Sequence, residues 1–85
     1  MAEHTPSLRL LSRLECGLCE DMARDLENLQ ISFDTIDIDQ DESLVKTYGE
    51  VIPVLLLGEQ EVARAPQTPA SLRDSLRRAG LLPIR

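Results

Sequence analysis

The segment Val51-Ile52-Pro53-Val54-Leu55-Leu56-Leu57 restricts the fold more than any other part of the chain. A short run with no polar side chain, set between Gly49 and Gly58, reads as a strand buried on both faces, the habit of parallel strands. Each face therefore needs a covering layer. Pro53 has no N–H to give to a ladder, so it belongs at the beginning of that strand or in the turn before it. A chain of 85 residues has room for one core, so we expect a single domain, 1–85, with its core over about residues 7–80. With one Tyr, one Phe and no Trp, that core must be mainly Leu, Ile and Val.

The rest of the chain supplies the cover and the strand partners. Residues 8–13, through Leu8, Leu10 and Leu11, are β-like. From Gly17 to Gln30 the positions Leu18, Met22, Leu26 and Leu29 fall on one helical stripe, flanked by Cys19 and Ala23. Glu20, Asp21, Arg24, Asp25 and Asn28 face water, and acids in a first turn suit the helix dipole. Over residues 31–38, Ile36 and Ile38 share one face and Thr35 and Asp37 the other, as in an edge strand with one wet face. Asp39-Gln40-Asp41-Glu42 reads as a capping box opening a short helix through Leu44, Val45 and Tyr48, which Gly49 closes. Gly58-Glu59 turns the chain into a last strand, Gln60 to Ala63. Thr68-Pro69 then opens a final helix, with Leu72, Leu76 and Ala79 as its stripe and Gly80 as its end. The order β-α-β-α-β-β-α predicts an α/β fold with a four-stranded mixed sheet and helices on both faces. The two most apolar strands belong in the middle of it.

A net charge of -6, with no basic patch to offset it, argues against a nucleic-acid partner. The opening Met1-Ala2-Glu3-His4-Thr5-Pro6 has neither the cationic nor the apolar part of a secretory signal. No apolar run is long enough to cross a bilayer, so no membrane association is expected. The expected setting is the cytoplasm, where disulfides are transient and catalytic rather than structural.

That setting gives weight to Cys16-Gly17-Leu18-Cys19, which contains both cysteines of the chain. Two thiols three positions apart at a helix start can close on one another or hold a metal. The unpaired N–H groups of the helix start stabilise a thiolate. Thiol–disulfide exchange needs an accessible thiolate, a second thiol to resolve the mixed disulfide, and a surface that aligns the substrate sulfur. Cys16 can supply the first and Cys19 the second. Arg13 and the helix terminus favour the thiolate, while Glu15, Glu20 and Asp21 oppose it by like-charge repulsion. That balance predicts a less acidic Cys16 and a reductant-like site. Zinc held within one chain needs four ligands, and only Cys16, Cys19 and His4 offer themselves, so no metal is expected. The plainer reading, two small buried hydrophobes, stays open on these grounds. Asp37, Asp39, Asp41 and Glu42 lack the glycine and terminal glutamate of a calcium loop, and capping and solvation account for them.

Taken together, the C-x-x-C after the first strand, the proline opening a later buried strand and the element order make the chain resemble the glutaredoxin and thioredoxin superfamily. The resemblance covers roughly residues 7–80 and is strongest to the small bacterial glutaredoxin-like proteins. It implies a thioredoxin-like fold of glutaredoxin type and a thiol–disulfide oxidoreductase. In it Cys16 would be the exposed nucleophile and Cys19 the more buried resolving thiol. Pro53 matches the cis-proline beside the disulfide, and Ile52 the residue whose backbone pairs with substrate. Arg13 stands where many glutaredoxins carry a lysine that meets a glutathione carboxylate. Three departures accompany these matches. Val51-Ile52-Pro53 replaces the usual Thr-Val-Pro, and Gly17-Leu18 replaces the Pro-Tyr common in dithiol glutaredoxins. Ala63-Arg64-Ala65 stands in the region of the Gly-Gly and acidic residue that hold the other end of glutathione, leaving Arg64 as a replacement anion contact. The implied partners are protein or small-molecule disulfides, with glutathione at most a co-substrate, no cofactor beyond the thiol pair, and a monomeric chain. Gly17 is also similar to the glycine of monothiol, iron–sulfur-binding glutaredoxins. The alternatives are therefore a module that ligates a cluster through Cys16 across a dimer, or a docking domain with idle thiols.

Overall fold

A computed structural model describes residues 8–65 and 68–82; His4 and the N-terminal segment considered above for export signals lie outside them. The chain runs β1 (Leu8–Ser12), α1 (Gly17–Asn28), β2 (Asp34–Asp37), a 3₁₀ turn (Ile38–Gln40), α2 (Glu42–Tyr48), β3 (Val54–Leu57), β4 (Gln60–Arg64) and α3 (Pro69–Arg78). The sheet order is β2-β1-β3-β4, so the two most apolar strands are central as expected. β1 and β2 are parallel, the right pairing for strands joined through α1.

Two expectations for the Pro53 segment need correction. β3 is antiparallel to β4, as expected of the hairpin at Gly58-Glu59, but it is antiparallel to β1 as well and so belongs to no parallel pair. Burial on both faces, which an unbroken apolar run reports, does not by itself fix strand direction. The strand also starts at Val54, after the proline, and Val51 and Ile52 form a half-buried lead-in.

Alternation along the strands divides the interior into two cores. On one face Leu8, Leu10, Leu55 and Ala63 meet Met22 and Leu26 of α1 and Leu72 and Leu76 of α3. On the other, Leu11, Val54 and Leu56 meet Ile38, with Leu44, Val45 and Tyr48 of α2 laid against them. The buried stripe of α1 is Cys19, Met22 and Leu26. Leu18, expected on that stripe, is instead 54% exposed. A helix rotated to bury the Cys19 sulfur must turn the preceding residue outward.

Local chemistry sets the ends. α1 and α3 close with the same motif: the Ile31 N–H donates to the Leu26 carbonyl at 3.0 Å, and the Leu81 N–H to the Leu76 carbonyl at 2.8 Å. The left-handed residue in each is Gln30 (φ 60°) or Gly80 (φ 79°). Ile31 and Leu81 fold back on the core, and because Ile31 is used in this way β2 begins at Asp34 rather than at residue 31. α2 is capped by Asp41, whose carboxylate accepts from the Ser43 N–H at 2.9 Å and the Leu44 N–H at 3.4 Å. The capping box expected from Asp39 does not form, because Glu42 is the first helical residue and Asp39 sits in the 3₁₀ turn. Gly49 ends α2 in a right-handed conformation (φ −54°), and a Cβ there would come within 2.5 Å of the Val45 carbonyl oxygen. No helix among the described residues is long and apolar enough to cross a membrane.

Candidate functional site

Register brings one end of the sheet together. Leu11 pairs with Val54 across β1 and β3, and Ser12 pairs with Asp37 across β1 and β2. The chain therefore leaves β1 for Arg13 to Cys16 beside the point where it leaves β2 for the 3₁₀ turn and enters β3 through Ile52-Pro53. The Ala65 N–H donates to the Pro53 carbonyl at 3.1 Å and adds the end of β4 to the group. Arg13, Cys16, Cys19, Ile52 and Pro53, singled out in the sequence, all lie at this end.

Cys16 is the N-cap of α1, with extended backbone (φ −108°, ψ 105°). Its sulfur is joined to Cys19 in a disulfide, with the two Cα atoms 5.2 Å apart. The Cys19 N–H donates to the Cys16 Sγ at 3.2 Å, and the Glu20 N–H donates to the Cys16 carbonyl at 3.0 Å. Cys16 is half-buried, whereas Cys19 is only 3% exposed. An N-cap sulfur that accepts a backbone N–H is placed for stabilisation as a thiolate once the pair is reduced. Glu15, just before it, holds a left-handed conformation (φ 61°) that aims the cap at the helix. That conformation costs a side-chain-bearing residue about 1 kcal/mol. The Ile52–Pro53 peptide bond is cis, with Pro53 buried and Ile52 half-buried.

Arg13 does not stand free beside the disulfide. Its Nε donates to both carboxylate oxygens of Asp39 at 3.1 Å, and its Nη2 donates to one of them at 2.9 Å. Its Nη1 reaches the Gly49 carbonyl at 3.3 Å. The Asp39 hydrogen bond, more than the charges of Asp39 and Asp37, holds the guanidinium above its ordinary pKa. Arg64, the other candidate anion contact, is likewise engaged, with Nε and Nη2 each 2.6 Å from the Glu61 carboxylate. A bulge makes that pair. Leu55 faces Ala63 but Leu56 faces Glu61, so Val62 is the extra residue and Glu61 comes onto the same side as Arg64. Hydrogen bonding from Arg64 keeps the Glu61 carboxyl below its ordinary value.

Sequence reasoning missed Asp39 and Gly49 as the partners of Arg13, which lie 26 and 36 positions away with no periodicity to signal them. It also missed Leu14, 79% exposed next to the disulfide loop. Chemically, the arrangement offers a thiol on half-buried Cys16 that can attack, and a second thiol on buried Cys19, within a helical turn, that can attack the Cys16 sulfur in turn. Among the described residues, no three or more His, Cys, Asp or Glu side chains gather to hold a metal ion.

The family model described as glutaredoxin-like domain (DUF836) matches residues 7–77. No curated protein matches the chain. Among solved structures, the target protein XcR50 from X. campestris is 29% identical, with a TM-score of 0.77, over 85% of this chain and 97% of that one. The protein Ne2328 from Nitrosomonas europaea is 26% identical, with a TM-score of 0.68, over 87% of this chain and 94% of that one. Buckwheat glutaredoxin, solved in complex with glutathione, shares the fold at 19% identity and a TM-score of 0.57, over 89% of this chain and 72% of that one. A match over residues 7–77, on a thioredoxin-like fold with its C-x-x-C at the first helix, means that this chain belongs to the glutaredoxin-like family of the thioredoxin superfamily.

Proposed function

We propose that the chain is a dithiol oxidoreductase working in a reducing, cytoplasmic setting on protein or small-molecule disulfides. The observation that carries this reading is the Cys16–Cys19 pair closed at the N-cap of α1, with Cys16 half-buried and Cys19 buried. In the reduced chain, the Cys16 thiolate attacks one sulfur of a substrate disulfide and releases the other as a thiolate. Cys19 then attacks Cys16, closes the internal disulfide and frees the second substrate thiol. Two electrons pass from the chain to the substrate. The loop through Ile52 and Pro53, at the same end of the sheet, supplies backbone against which a substrate segment aligns. With Arg13 committed to Asp39, the cap amide is left as the main support of the thiolate. This agrees with a weakly acidic, reductant-like Cys16.

The test uses two substitutions and a disulfide substrate under single-turnover conditions. Cys16→Ser should abolish reduction of the substrate. Cys19→Ser should still attack and should accumulate a covalent chain–substrate mixed disulfide detectable by mass. Full activity of Cys16→Ser would overturn the mechanism.

A further inference from the structure

The charges around the disulfide are unevenly spent. From Arg13 to Asn28 the chain carries the acids Glu15, Glu20, Asp21, Asp25 and Glu27 but only two cations, Arg13 and Arg24. Both cations are occupied by the chain's own carboxylates, Arg13 by Asp39 and Arg24 by Asp21. Glu15 precedes Cys16 directly, and Glu20 lies one helical turn above it, its N–H on the Cys16 carbonyl. Both are exposed, and neither has an ion-pair partner among the described residues. The described cations without a carboxylate partner, Arg9, Lys46, Arg73 and Arg77, stand on β1, α2 and α3 instead. Leu14 and Leu18, two positions before and two after Cys16, are exposed by 79% and 54%. Apolar side chains left open beside a reactive sulfur, with unpaired acids around them, match a segment that is cationic and partly apolar.

Resting on the dithiol reading above, we infer that the Cys16–Cys19 site selects disulfides in cationic protein segments and rejects anionic ones. The occupant is a stretch of a partner protein whose cysteine is flanked by Lys or Arg and by an apolar residue. The apolar residue covers Leu14, which lines one depression with Glu15, Cys19 and Glu20, and the cations meet those two carboxylates. An anionic substrate meets those same two carboxylates, and the Arg13 guanidinium is already held by Asp39 in a forked hydrogen bond. Asp39 thus acts as a specificity residue at a distance from the sulfur, by keeping Arg13 filled. Electrons follow the same course as before: the reduced chain is the donor, the segment's disulfide is opened to two thiols, and the internal disulfide closes.

The experiment compares two synthetic peptides that share one central cysteine, linked as a mixed disulfide to thionitrobenzoate. In one the cysteine is flanked by lysines and a leucine, in the other by glutamates and a leucine. Each is mixed with the pre-reduced full chain, and the colour of released thionitrobenzoate is followed, with rates divided by those given by a small neutral dithiol. The lysine peptide should react about tenfold faster at low ionic strength, and that ratio should shrink several-fold in high salt. Glu15→Gln with Glu20→Gln should bring the ratio toward one. Asp39→Asn, which releases Arg13, should speed the glutamate peptide selectively. Equal rates, or a preference for the glutamate peptide, would overturn the selectivity while leaving the dithiol reading intact. No reaction with either peptide, while the small dithiol reacts, would overturn both.

Discussion

The two faces of the sheet are held by different physics. The face covered by α1 and α3 buries eight apolar residues, four of them on the helices and four on the strands. The face covered by α2 buries four, and α2 itself contributes no fully buried residue. Arginines make up the difference on that side. Arg9 reaches the Gly58 carbonyl at 2.9 Å, Arg13 ties the disulfide loop to Asp39 and Gly49, and Arg64 grips Glu61. Arg9 alternates with Leu8 and Leu10 along β1 and so lies with Leu11, while Arg64 and Glu61 are the register partners of Val54 and Leu56. The apolar face resists deformation because its cost is buried area. The arginine face is fastened by directional contacts in water-accessible places, each worth little on its own. The loop from Arg13 to Cys16 leaves the sheet between the two, with Cys19 buried in α1's stripe and Arg13 pinned to the other face.

Truncating the apolar face should have the largest effect on stability. Leu26→Ala, at a fully buried position on α1, should lower the unfolding free energy by about 2–5 kcal/mol in a denaturant titration. Leu44→Ala, half-buried on α2, should cost less than about 1.5 kcal/mol. Equal losses would erase the distinction between the faces.

The helix ends sharpen it further, since α1 and α3 use one motif with different residues. Gly80→Ala puts a Cβ on a left-handed position and should cost about 1 kcal/mol. Gln30→Gly relieves the same conformation at the end of α1 and should gain up to about 1 kcal/mol, read as a raised denaturation midpoint. If Gln30→Gly destabilises instead, the side chain is doing more at that end than tolerating its backbone.

The smallest effect belongs to the arginine face and appears as a pH dependence. The folded-state pKa of Glu61 is lowered, so its stabilising contribution is present above the unfolded value and is lost as pH falls through the folded one. Glu61→Gln should therefore lower neutral stability slightly and flatten the loss of stability in acid by the same small amount. Added salt should shrink that difference. An acid limb identical in both proteins would remove Glu61–Arg64 from the account.

Legibility in the sequence follows the same division. The apolar face was readable, because Met22 and Leu26, or Leu72 and Leu76, repeat at helical spacing, β3 is a continuous apolar run and β1 is nearly one. The central placement of β1 and β3 followed from those runs too. Their direction did not, since burial looks the same in parallel and antiparallel strands once helices cover both sides. Leu18 was misplaced because its spacing fits the stripe as well as that of Cys19, and only packing decides which of the two turns inward. The arginine face was largely silent: a pair such as Arg13 with Asp39 is made by topology, not by period. The C-x-x-C and Pro53 were legible as motifs, but the filling of Arg13 by an internal carboxylate was not.

The proposed function requires Cys16 and Cys19 to cycle between dithiol and disulfide. An equilibrium redox titration of the full chain, quenched by thiol trapping and read by mass, tests that directly. The account predicts one reversible two-electron transition to the internal disulfide, with a potential between about −200 and −270 mV, in the reducing part of the range such proteins span. A chain in which no internal disulfide forms at any potential would contradict it.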